Sequence, residues 1–80
     1  MLIINGDIAI VYENVCMFYI ENYTNNLVYE APDKEKTVSL CADMNNNRAV
    51  DLKRYKTVEE ARADIECIGC ASKNLSVYHL

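Results

Sequence analysis

Glycine and proline are scarce: Gly6, Gly69 and Pro32 are the only examples in eighty residues. A Gly-rich phosphate loop is therefore excluded, and so is a Gly-x-Ser-x-Gly nucleophile turn. His79 is the only histidine and stands next to the last residue, so a nucleophile–base pair is hard to assemble. No catalytic residue and no cofactor is assigned, and an enzyme is not expected. Lysine and arginine are absent from residues 1–30, which carry Asp7, Glu13, Glu21 and Glu30. Residues 31–80 balance their acidic and basic side chains, so the net charge of −4 lies in the first segment. Phosphate binding needs clustered cations, so nucleic acid is not expected as the main partner. An acidic face of this kind suits a basic protein surface. No apolar run approaches the ~20 residues that span a bilayer, so no membrane partner is expected. The first residues have neither a basic leader nor a small-residue cleavage site. The expected location is the cytoplasm, with all four cysteines as reduced thiols.

What is present is a globular composition, 51% apolar and 25% charged, in a length that gives one domain over residues 1–80. With so little Gly and Pro, Asn and Asp must make the turns. Tyr23-Thr24-Asn25-Asn26 and Met44-Asn45-Asn46-Asn47 fit that role. Between them lie β-branched and aromatic runs, read as strands over residues 8–12, 15–20, 27–30, 37–42 and 49–53. Val38, Leu40 and Ala42 alternate onto one face and leave Cys41 on the polar one; Val50 and Leu52 point inward between Asp51 and Lys53. Short runs joined by short turns imply an antiparallel meander over residues 1–53.

The period then changes. Thr57-Val58-Glu59-Glu60 is a capping box, and Val58, Ala61, Ile65 and Ile68 form one apolar stripe. A helix is expected over residues 57–68, with Gly69 as its stop and residues 69–80 as a tail or an edge strand. Cys67-Ile68-Gly69-Cys70 closes this helix. A redox Cys-x-x-Cys places its nucleophile at a helix N-terminus, where the dipole favours a thiolate. Here the pair sits at the opposite end. A structural zinc site needs four ligands, and only one Cys-x-x-Cys knuckle is present, with Cys16, Cys41 and His79 single and far apart in sequence. No metal ligand is therefore assigned. Lys53-Arg54-Tyr55-Lys56 reads as a solvated approach to the helix.

The phrases LIINGD, ENVCMFYIE and RYKTVEEARADI resemble a group of short proteins encoded by bacterial prophages and mobile elements. The resemblance covers residues 2–68. It implies a protein that binds and blocks a host machine in the host cytoplasm, such as a defence nuclease, in the manner of anti-CRISPR proteins.

The expected fold is α+β: an antiparallel sheet of five or six strands with one C-terminal amphipathic helix on one face. In residues 15–20 both alternating sets are apolar, so one helix cannot cover both sides of the sheet. Val15, Met17 and Tyr19, with Tyr12 and Glu21, are the candidate partner-binding residues. The expected function is a non-enzymatic protein-binding module; a homodimer is expected on this face, with a host protein or the Leu75–Leu80 tail as the other possible covers. The alternatives are a thiol–metal module on Cys67 and Cys70 and a weak nucleic-acid binder on Lys53, Arg54 and Lys56.

Overall fold

The computed structural model describes residues 1–22 and 37–80. Its first element is a hairpin, β1 (Leu2–Asn5) and β2 (Ile8–Val11), closed by Gly6 and Asp7. Gly6 has φ +59 and Asp7 is not in the positive-φ region, the φ pattern of a type II′ turn, whose first central position takes glycine. A 3₁₀ turn, Tyr12–Asn14, then redirects the chain into β3 (Val15–Asn22). β4 (Val38–Met44) and β5 (Ala49–Tyr55) follow, joined by the expected asparagine turn. Asn47 adopts φ +64 there, and its N–H donates to the Met44 carbonyl at 3.1 Å. Helix α1 (Val58–Ala71) leads to a short last strand, β6 (Val77–His79).

The fold is α+β, but the described strands form two three-stranded sheets and not a single sheet of five or six. β3-β4-β5 is antiparallel throughout. The other sheet, β2-β1-β6, is mixed: β6 lies parallel to β1, so the first and last strands are neighbours. The 3₁₀ turn separates β2 from β3, and α1 returns the chain to β1. The strand expected at 27–30 and the turn at 23–26 lie outside the described residues.

One core serves both sheets. Ile3 and Ile10 from the first join Val38, Leu40, Ala42, Leu52 and Tyr55 from the second, with Ala61 and Ile68 of the helix. The stripe expected from sequence is the stripe that packs: Ala61 and Ile68 are buried, and Val58 and Ile65 lie half-buried against them. α1 contacts all three strands of the antiparallel sheet. The Asn5 amide donates from β1 to the Leu52 carbonyl of β5 at 2.6 Å, linking one sheet to the other.

Helix α1 starts as expected, with the Glu60 N–H donating to Thr57 Oγ1 at 3.3 Å. It does not stop at Gly69. It runs two residues further, and Ser72 closes it: its N–H donates to the Ile68 carbonyl at 3.0 Å and its hydroxyl to the Gly69 carbonyl at 2.7 Å. Gly69 lacks the positive φ of a glycine stop, so it acts as an ordinary helical residue.

Candidate interaction surface

The five residues expected to form one partner face are divided between two surfaces. A register shift between Val15 and Met17 inserts one extra residue into β3. Such a bulge breaks the two-residue alternation, so Val15 and Met17 no longer share a face. Val15 packs on the core, as does Tyr12, whose ring lies 6.1 Å from that of Phe18. Met17, 52% exposed, alternates with Tyr19 and Glu21 on the opposite side of β3. These three pair with Asp43, Cys41 and Ser39 of β4.

That outer face of β3-β4-β5 is polar and mostly satisfied. Ser39 donates to Asp51 at 3.2 Å, and Asp51 stands 3.7 Å from the Arg54 guanidinium. Cys41 occupies the side opposite Leu40 as expected, yet it is buried in the central strand. Burial, followed by the Asp51 and Glu21 carboxylates, pushes its thiol pKa up.

The mixed sheet has the contrasting surface. Ile3 points into the core, so Leu2 and Ile4 face outward from the same strand. Register places Val11, Leu2 and Val77 in one row across the three strands, and Ala9, Ile4 and His79 in the next. Leu2, Val11 and Val77 are 40%, 39% and 37% exposed. Among the described residues the exposed large hydrophobics are these three together with Met17 and Leu75, so three of the five share one face. Asp7 and Glu13, both exposed, bracket it at the two ends of β2. The N-terminal ammonium, 2.7 Å from Glu13, holds that carboxyl below the usual carboxylate range. Leu2, Ile4 and Val77 lie outside residues 15–20, the segment that the sequence marks as apolar on both sides. The available signal was Gly6-Asp7 between two apolar runs, a two-residue hairpin marker that makes residues 2–5 a strand.

The remaining candidates are arranged differently. Cys67 and Cys70 are exposed thiols in the last turns of α1. Cys70 therefore lies inside the helix rather than at or beyond its end. Cys67 meets Tyr78 of β6, whose phenol is pushed up first by burial and then by that thiol. Among the described residues, no group of three or more Cys, His, Asp or Glu side chains is placed to hold a metal ion. Lys53, Arg54, Tyr55 and Lys56 line an open groove of about 420 Å³ with Glu60, Ala63 and Asp64. The two carboxylates oppose a phosphate there, and the Tyr55 hydroxyl donates to Asp64. His79 is exposed on β6. No helix among the described residues is long and apolar enough to cross a membrane.

No family model, no curated protein and no solved structure matches the chain.

Proposed function

We propose that this chain is a non-enzymatic protein-binding module that docks another protein on the outer face of the β2-β1-β6 sheet. The observation that carries this reading is the row Val11–Leu2–Val77, three exposed aliphatic side chains contiguous across three strands. A contiguous apolar patch on a small protein marks an interaction site, because leaving it in water forfeits stabilisation that burial would provide. The chain can spare few such residues from a core this small. The exposed Asp7 at its border suits a partner whose apolar patch has a basic residue at its rim. The resemblance to prophage-borne proteins makes a host defence nuclease the target class to test first.

Affinity capture with wild-type protein and with Leu2→Lys tests the reading. Leu2 lies on the outer face, so the substitution should leave the fold intact while placing a charge in the centre of the row. A protein retained by wild type and lost with Leu2→Lys is the expected result. Capture of the same protein by both, with both folded, would refute the docking face. A second reading, a thiol–metal module, is supported by the exposure of both Cys67 and Cys70 within one helix. Elemental analysis of the purified protein decides it.

A further inference from the structure

Cys67 and Cys70 are exposed thiols that the docking face does not use. Both lie inside α1, where residues three apart stand side by side on the helix surface. That spacing sets their β-carbons about 5–6 Å apart. A disulfide needs β-carbons about 3.5–4.5 Å apart, so the intact helix keeps the two sulfurs from joining each other directly. The same spacing suits the sharing of one ion, because a metal–sulfur bond of about 2.3 Å on each side bridges the gap.

The surroundings of the pair select the kind of ion. Tyr78 of β6 packs against this flank of α1, with its phenol in hydrogen-bonding reach of the Cys67 thiol. As an O–H donor it orients the sulfur and steadies negative charge on it, as groups behind a metal ligand do. His79 follows on the same strand but belongs to the outer row with Ile4 and Ala9, so it faces away from α1. Asp64, one turn before Cys67, accepts the Tyr55 hydroxyl. Cys41 is buried in the central strand of the other sheet. Among the described residues, no third Cys, His, Asp or Glu joins the pair. Structural zinc takes four ligands, and calcium and magnesium take oxygen, so neither chemistry is met here. Two thiolates without imidazole or carboxylate suit a soft monovalent ion that accepts two-coordinate sulfur. The last turn of α1 also contains no basic residue, and the negative end of the helix dipole favours a cation there.

We propose that Cys67 and Cys70 bind one soft monovalent ion of the copper(I) class as a two-coordinate dithiolate on the last turns of α1. Each thiol gives up its proton and forms one metal–sulfur bond, so binding one ion releases two protons with no change of oxidation state. The inference rests on the thiol–metal reading and names its class of ion. It leaves the docking face free, because Tyr78 turns towards the core while Leu2, Val11 and Val77 lie on the other side of the same sheet. A bound ion ties α1 to β6 through Tyr78 and so stabilises the strand that carries Val77.

The test is an anaerobic titration of the intact chain with copper(I) against a chromophoric copper(I) chelator. It compares wild type with Cys67→Ser, Cys70→Ser, Cys16→Ser and Tyr78→Phe, with circular dichroism to show that each is folded. Cys16, exposed on β3, is the control thiol. Wild type and Cys16→Ser should each hold one ion per chain against the chelator and release two protons. Cys67→Ser and Cys70→Ser should hold none. Tyr78→Phe should weaken binding about tenfold, the scale of losing a group behind a metal ligand, and an unchanged affinity would remove Tyr78 from the site. Copper retained by a folded serine variant at position 67 or 70, copper lost in Cys16→Ser, or none retained by wild type would overturn the inference. Zinc held through Cys67 and Cys70 in preference to copper(I) would overturn the choice of ion and leave the thiol–metal reading standing. Retention of neither ion would overturn both, while the docking face, tested separately through Leu2→Lys, would be untouched.

Discussion

The hydrogen bond from the Asn5 amide to the Leu52 carbonyl permits a test of how the two sheets are held together. Asn5 ends β1 and Leu52 lies in β5, 47 positions away, beside the register shift that follows Leu40. Asn5→Ala removes the donor and leaves a partly buried carbonyl without its partner. The loss of a neutral hydrogen bond with an acceptor left behind costs about 1–2 kcal/mol. Asn5→Asp is the sharper perturbation. It keeps the size of the side chain and leaves the Gly6-Asp7 turn unchanged, but it faces a carboxylate oxygen towards a carbonyl oxygen. The cost at neutral pH should reach about 2–3 kcal/mol. The carboxyl introduced there should have its pKa raised above the ordinary ~3.9, because the folded site disfavours its charged form. Its penalty is therefore complete above the raised value and shrinks as pH falls through it, when the neutral carboxyl can donate as the amide did. Urea denaturation followed by far-UV circular dichroism, at about pH 7 and about pH 4 with wild type measured alongside, gives the difference. The expected order at neutral pH is wild type, Asn5→Ala, Asn5→Asp, and Asn5→Asp should close on wild type in acid. A neutral effect of Asn5→Ala, or a deficit of Asn5→Asp that is the same at both pH values, would show that this bond does not join the sheets.

Thr57→Ala should cost about 1 kcal/mol, the usual loss for an N-cap, and an unchanged urea midpoint would contradict the Thr57–Glu60 bond. Gly6→Ala should cost about 1 kcal/mol through backbone conformation alone, because φ is +59 and an added Cβ meets nothing within 4 Å; Gly6→Asn should cost less. Burial and then the bond to Asp64 push the Tyr55 phenol far above its ordinary 10. The stability this contributes is complete below pH 10 and is lost as pH rises beyond it. Phenolate absorbance should therefore show one tyrosine of the six ionising only as helical signal disappears; ionisation of all six in the folded protein would refute it.

The helix was legible from residues alone because its determinants lie within a few positions of one another. Thr57 caps a turn three residues long, and Val58, Ala61, Ile65 and Ile68 need only the helical period to share a face. The asparagine turn after Met44 and the strands on either side of it were equally local. Gly69 misled for the same reason: glycine marks an end locally, while Ser72 and the descent to β6 supply the actual stop. The division into two sheets could not be read this way. β1 pairs with β2 through a turn of two residues, but its other neighbour is β6, which lies 75 positions further along when Leu2 is matched with Val77. That parallel pairing depends on α1 packing across the second sheet, which no short window encodes. The candidate face depended on the same event. Leu2 and Val11 are apolar in the sequence, but only the arrival of Val77 beside Leu2 makes a row across three strands. The bulge in β3 had the opposite effect, since one extra residue sent Val15 to the core and left Met17 outside. Sequence thus determined the helix start, the asparagine turn and the strands on either side of it, because those preferences act between near neighbours. Tertiary structure decided which strands meet and which apolar side chains remain exposed, because pairing register and packing are set by residues far apart in the chain.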